Sequence, residues 1–228
     1  MAERIREPRA RTGYTFHMES GGSGGAPDRQ VVQLFLLVTE ALAAATDALL
    51  AGEPGEGSRV VAGDGRIDDL TDQVSARIWA EVDRLAPGHD QLRRLVGLLL
   101  ILPELERSAD LAEHIAQRAV AQVGPNMTPV SRGIVQRMSD VALDMWKQAA
   151  EAYQAGTAVG AELDEADEEL DILHERLTQE VAGSDMAAHV SAQVTLLGRF
   201  YERLGDHAVN LARRIGSLPD EDANGVAR

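Results

Sequence analysis

Cysteine is absent from this chain of 228 residues, which excludes disulfides, iron–sulfur clusters and thiolate-bound metal. Aromatic residues are scarce, at 4% against 44% hydrophobic overall. With much of the apolar content carried by Ala and Leu, helices are favoured over a sheet protein. Positive charge is outnumbered: 37 Asp and Glu against 22 Lys and Arg leave a formal net charge of −15. That balance disfavours a nucleic-acid partner held through phosphates and suits cations, basic protein partners or plain solubility. Long apolar runs are missing as well. The longest, Leu95 to Leu102, falls far short of the roughly 20 residues of a membrane span, and no signal peptide is visible. A cytoplasmic protein without a membrane span is expected, of a length that fits one large or two small domains.

What is present is helical periodicity. Residues 1–28 read as a flexible tail, with Arg4, Arg6, Arg9 and Arg11 set among acids and a Gly/Ser linker from Ser20 to Gly25. From Gln30, Val31, Leu34, Val38, Ala45 and Leu49 form one apolar stripe, stopped near Gly52 and Pro54. A second helix is predicted from Ser58 to Leu85 through Ile67, Leu70, Val74 and Ile78. A third runs from Asp90 to Val123 with Pro103 expected to kink it. Thr128-Pro129 supplies an N-cap and first-turn pair for a fourth, carrying Met138, Val141 and Met145. Leu163, Leu170, Leu173 and Leu177 mark a fifth ending near Gly183, and Ser184 or Asp185 is expected to cap the sixth. Short links imply antiparallel neighbours, so the expected fold class is all-α, two tandem three-helix bundles spanning 29–125 and 126–218, with a short tail at 219–228.

The chain also contains its own echo. Phe-Tyr-Glu-Arg-Leu-Gly-Asp-His-Ala-Val-Asn at 200–210 repeats, ninety-six residues on, the Leu-Glu-Arg-Ser-Ala-Asp-Leu-Ala-Glu-His of 105–114. Glu202, Asp206 and Asn210 thereby match Glu106, Asp110 and His114. The preceding helix of each unit carries an acidic pair of its own, Asp64 with Asp68 and Asp164 with Glu168. In all four rows a carboxylate directly follows a core residue, which places every row on the same flank of its buried stripe, about 100° around. Two neighbouring helices can then bring four carboxylates to one face, a cluster that repels itself unless a cation joins it or some groups hold protons. Oxygen-only ligands favour Mg, Mn, Ca or Fe, with His114, His207 or Asn210 able to complete or orient the shell. Two bland alternatives stand beside this one. The acids can be solvated and paired with Arg107, Arg199, Arg203 and Arg213, in a helical scaffold without metal. A carboxylate-bridged di-metal enzyme is the other, although no Glu is followed three residues later by His.

Tyr201 to Asn210, its weaker copy at 105–114 and Ala62-Gly-Asp-Gly-Arg-Ile-Asp68 together resemble the PhoU family, the accessory and regulatory proteins of the phosphate-specific ABC transporter. The resemblance spans about 30–217. It implies metal ligands at Asp64, Asp68, Glu106 and Asp110 in the first unit, and at Asp164, Glu168, Glu202, Asp206 and Asn210 in the second. The metal it implies is divalent or trivalent: Fe, Mn, Mg or Zn. It further implies a negative regulator of the phosphate-starvation response, linking the transporter's ATPase subunit to a sensor histidine kinase, with no enzymatic activity and pairing as a homodimer. Two departures stand out. Ser108-Ala109 replaces the Leu-Gly of the second copy, and Glu168 stands where the pattern expects Asp.

Overall fold

The computed structural model describes residues 26–85, 89–157 and 160–219, and every regular element among them is helical. The expected tail and Gly/Ser linker up to residue 25, and the C-terminal tail from 220, lie outside the described residues. The helices are α1 (Ala26–Ala51), α2 (Pro54–Gly63), α3 (Gly65–Leu85), α4 (His89–Val120), α5 (Pro129–Ala155), α6 (Ala161–Gly183) and α7 (Ala188–Ile215). A single 3-10 turn, Gly124–Asn126, separates α4 from α5. α2 and α3 together occupy the place of one expected helix. The backbone at Asp64 stays helical (φ −58°, ψ −47°) while its amide shifts to the carbonyl three residues back.

Two trios result. α3 packs on α1 and α4, and α6 packs on α5 and α7. The trios join where α1 meets α5 and α4 meets α7, so these four helices form an inner layer with α3 and α6 on its flanks. Their apolar stripes merge into one core. α1 shows why the periodicity was readable: Val31, Leu34, Phe35, Val38, Leu42, Ala45 and Leu49 are all fully buried, at the three- and four-residue steps of one helix face. By length and composition Pro27–Ala51 would also suffice to cross a membrane. Here that apolar face is spent on α4 and α5, and Thr46 on it joins a buried hydrogen-bond chain.

That chain ties both trios together. Thr46 of α1 lies 2.7 Å from the Tyr201 hydroxyl of α7, and Ser139 of α5 donates to Thr46 at 3.1 Å. Burial pushes the Tyr201 phenol far above its ordinary range, which keeps it a neutral partner. The duplication is also visible where α4 crosses α7. Arg118 of α4 lies over the Phe200 ring at 4.9 Å, and Arg214 of α7 reaches Glu104 at 3.5 Å. Arg118 and Arg214 are ninety-six residues apart, as are Glu104 and Phe200. The same arginine position in each repeat therefore reaches across to the same position of the other.

Several boundaries differ from the sequence expectation, the start of α2 at Pro54 rather than Ser58 among them. α1 is already helical at Ala26, the first described residue and four before the expected start, and Asp28 in its first turn is anchored: it accepts from Arg94 at 2.5 Å and from Tyr153 at 2.7 Å. The cap of α7 is Ala187 rather than Ser184 or Asp185. Ser184 instead turns back to the Val181 carbonyl and closes α6. α4 runs through Pro103 as one helix and stops at Val120. The Thr128 cap is as expected, its hydroxyl accepting from the Ser131 amide at 3.0 Å.

Candidate functional site

The first acidic face lies between α3 and α4. Asp64 stands at the α2–α3 junction, half-buried, with Asp68 and Asp72 following at one-turn intervals. Across from them are Glu106, Asp110 and Glu113 of α4. Burial, and then the negative charges of Asp68, Glu113, Asp110 and Glu106, push the Asp64 carboxyl up to about 6. Glu106 is raised as well, by burial and then by Asp68, Asp110 and Asp72, with Arg107 opposing. The structure thus brings together all four residues expected here and adds Glu113 and Asp72. Glu113 was legible as the third member of a stripe. From Glu106, steps of four and then three end about 20° behind the start, whereas two steps of four overshoot by about 80°. That overshoot carries His114 away: its ring stacks on Phe200 of α7, centroids 5.4 Å apart. Beside Asp64 a cleft of about 240 Å³ opens, floored by Leu37, Ala41, Ala44 and Ile67 and edged by Glu113.

The second face lies between α6 and α7, and its register differs from the sequence reading. Asp167, not Glu168, faces α7. Burial, then Asp206, Asp171 and Asp164, push the Asp167 carboxyl up to about 6, against a lowering by Arg213. Glu168 is exposed, and Asp206 does share the face with Asp167. The repeat of Asp64-x-x-x-Asp68 is therefore Asp167-x-x-x-Asp171. The rule that an acid follows a core residue points there too, since Asp171 follows the fully buried Leu170; Asp164 satisfies the same rule two turns earlier, after Leu163. Asp164 remains at the edge, 3.3 Å from Arg213. Glu202 is engaged by Arg199 and stands 3.2 Å from His174 Nδ1. Asn210 is exposed. His207 is turned inward to Ser108 of α4, 2.8 Å from Nδ1, and burial holds its pKa down. Among the described residues no three His, Asp or Glu side chains converge closely enough to hold an ion as they stand.

Gly205 explains how closely α6 approaches α7. A Cβ there would fall 2.6 Å from Leu170 Cδ1 and 2.8 Å from Asp167 Oδ1. Both obstacles are side-chain ends, so they can yield. Gly205→Ala is expected to cost about 1 kcal/mol in urea unfolding while displacing Asp167 from Asp206. A wild-type melt from this variant would mean the approach is looser than drawn.

The pH dependence has a definite sign. A carboxylate raised to about 6 when folded binds protons more tightly in the folded state than in the unfolded one. The stability that this proton uptake brings is complete below the unfolded value near 4 and is lost as pH rises through 6. His207, held low, acts the other way, losing stability as pH falls. The informative quantity is therefore the difference between the wild type and Asp64→Asn with Asp167→Asn. In metal-free protein, the double variant should melt higher than wild type at pH 7.5 and converge with it near pH 4. Parallel melting curves across that window would rule out the crowding.

The family model described as the PhoU domain matches residues 31–119 and again 135–215, one match per trio. The chain belongs to the PhoU family. It is 29% identical over 191 residues to the phosphate-specific transport system accessory protein PhoU homolog 1 of Mycobacterium tuberculosis, covering 80% of this chain and 86% of the relative. A PhoU homolog of Rhizobium meliloti is 26% identical over 193 residues, covering 82% and 81%. Among solved structures, PhoU of Pseudomonas aeruginosa superposes with a TM-score of 0.78 at 21% identity, over 84% of this chain and 94% of that one. PhoU from Streptococcus pneumoniae gives 0.72 at 18%, over 85% and 96%. At those identities the structural likeness speaks for the fold alone, and it matches the duplicated PhoU architecture described above.

Proposed function

We propose that this PhoU-family chain is an accessory and regulatory protein of a phosphate-specific transport system, acting in the cytoplasm without chemistry of its own. The observation that carries this reading is the family match across both trios, together with curated relatives named as accessory proteins of phosphate transport. Its finer form, implied by the same resemblance, is negative regulation: when phosphate is plentiful the protein links the transporter's ATPase subunit to a sensor histidine kinase and quiets it. Loss of the gene should then switch on starvation genes, read as alkaline phosphatase activity, in phosphate-replete cells. A pull-down should recover the ATPase subunit. Normal repression in the deletion strain would overturn the regulatory role.

The acidic faces are proposed to hold a divalent or trivalent metal. The donors fit a hard cation: the side chains that face one another are carboxylates, and burial, then the crowding of like charges, keeps Asp64 and Asp167 raised, a crowding that a cation would relieve. In the first face Asp64, Asp68, Glu106 and Asp110 would hold it, with Glu113 in reach. In the second, Asp167 and Asp171 would join Glu202 and Asp206. The ion would serve as a charge clamp between neighbouring helices. Binding requires these side chains to swing together from their present positions, so metal should raise the melting temperature of chelator-treated protein. At a hundredfold excess over its dissociation constant the gain is about 2.7 kcal/mol. Metal content by plasma mass spectrometry should fall in Asp64→Ala with Glu106→Ala, and in Asp167→Ala with Asp206→Ala. An unchanged melt with and without cation favours the second reading, a metal-free scaffold, which the pairing of Arg199 with Glu202 and of Arg213 with Asp164 supports.

A further inference from the structure

Asp167, Asp171 and His174 follow one another on α6 at steps of four and then three, so they lie within about 60° of arc on one side of that helix. The imidazole reaches α7 directly. Its Nδ1 stands 3.2 Å from Glu202 Oε2, and both side chains are largely buried. Arg199 engages the other carboxylate oxygen, Oε1. Oε2 is shut off from solvent and forms no hydrogen bond, so the nitrogen and the oxygen face each other without being joined by one. The opposite edge of the ring is fixed by packing. A Cβ at Gly198 of α7 would fall 2.9 Å from His174 Cδ2 and 3.6 Å from Nε2. The Cδ2–Nε2 edge therefore lies against the α7 backbone, and Nδ1 is the nitrogen turned toward the carboxylate.

The first repeat shows that the fold does not require an imidazole here. The offset of 103 residues that relates Asp64 and Asp68 to Asp167 and Asp171 puts Thr71 at the position of His174. The offset of ninety-six puts Glu106 at Glu202 and Leu102 at Gly198. Thr71 and Leu102 are both buried, a small residue on α3 and a large one on α4. In the second repeat the sizes are exchanged: glycine replaces the leucine, and the ring takes the room beside it. The glutamate is the same in both. What the exchange alters is the donor on the neighbouring helix, a buried hydroxyl without a hydrogen-bond partner in one repeat and a ring nitrogen in the other.

The spacing suits two ligands of one ion. Donors each about 2.1 Å from a metal lie about 3.0 Å apart at a right angle and about 3.4 Å apart at the tetrahedral angle. The 3.2 Å between Nδ1 and Oε2 falls between these. Carboxylates alone suit hard cations such as magnesium or manganese, whereas an imidazole moves the preference toward zinc or ferrous iron. We infer that the two acidic faces are chemically distinct metal sites, the second taking a borderline divalent ion such as zinc through His174 Nδ1 and Glu202 Oε2. Asp167 and Asp171, on the same side of α6, supply the remaining donors. This rests on the metal reading proposed above and adds to it a nitrogen ligand and a class of metal. Were His174 only an ion-pair partner of Glu202, both faces would be oxygen sites with the same preference.

The second face is read alone in chelator-treated, full-length protein carrying Asp64→Asn with Glu106→Gln, which disables the first. Zinc should bind this parent more tightly than magnesium in calorimetry. X-ray absorption at the zinc edge should show the multiple scattering of a coordinated imidazole. Adding His174→Gln keeps a hydrogen-bond donor beside Glu202 but removes the ring nitrogen. That change should lower zinc affinity about a hundredfold, abolish the imidazole signature and leave magnesium affinity and circular dichroism as in the parent. The inference is overturned, with the metal reading intact, if the parent prefers magnesium or binds zinc without an imidazole signature. Survival of that signature in His174→Gln, or equal weakening of zinc and magnesium, overturns it as well. A parent that binds neither ion overturns this inference together with the metal reading of the second face.

Discussion

Trp146→Ala is expected to cost about 3–5 kcal/mol, the range for removing a large aromatic from a closed core. The indole is fully buried, and its ring lies 6.1 Å from that of Phe35 on α1. Its Nε1 donates to the Leu204 carbonyl of α7 at 3.1 Å. One side chain on α5 thus binds a helix of the first trio to a helix of the second, and its loss opens a void at their shared core. For a chain of this size each kcal/mol is about 2–4 °C, so the melting temperature should fall by about 6–20 °C. Trp146→Phe keeps most of the volume and loses the hydrogen bond, and about 1–2 kcal/mol is expected. A urea midpoint for Trp146→Ala close to wild type would mean that the trios do not share this core.

Gly124→Ala should be nearly as damaging, for a different reason. A Cβ at this position would sit 1.7 Å from the Leu49 carbonyl oxygen and 2.8 Å from its carbon. Unlike the neighbours of Gly205, these are backbone atoms at the end of α1, and they cannot rotate aside. They are pinned further by Arg132 of α5, which donates to the Gly124 carbonyl at 2.9 Å and also to that of Leu50. The 3-10 turn linking the two repeats is therefore seated directly on the first helix. About 3 kcal/mol is expected from the forced backbone shift. Gly133→Ala is the control: it is an exposed position inside α5 with nothing within 4 Å of the added carbon. It should gain about 0.5–1 kcal/mol from helix propensity. If both glycine variants melt alike, the close approach at Gly124 is not a constraint on this fold.

The two acidic faces show how far a linear pattern can be trusted. Asp68, Glu106 and Asp110 each follow a core residue on their own helix, a strictly local relation, and Asp64 precedes Asp68 by one turn. The same relation held at Asp171 after Leu170, but the duplicate was sought at Asp164 and Glu168. Nothing in the linear pattern says how far α6 is slid along α7. Leu170 and Asp167 packing over Gly205 sets that slide. His114 and Asn210 followed from extending a row in steps of four, which rotates off the face within two steps. The caps divide in the same way. Thr128 works through an amide three residues on, while α7 starts at Ala187 with Ser184 already committed to α6.

By itself the sequence determined the helical class, the doubling into two trios, the membership of most core stripes and the acidic character of one flank. All of these depend on spacing within a single helix, where 100° per residue converts order into direction. Tertiary structure decided which acids confront one another, that His207 and His114 turn toward the opposite repeat, and that α1, α4, α5 and α7 share one interior. It also decided which apolar residues remain uncovered, since Trp79 and Val96 are no less hydrophobic than their buried neighbours. Those outcomes depend on the slide and crossing of rods distant in the chain. Such relations come from the fit of side chains across an interface, which no single helix carries in its own spacing.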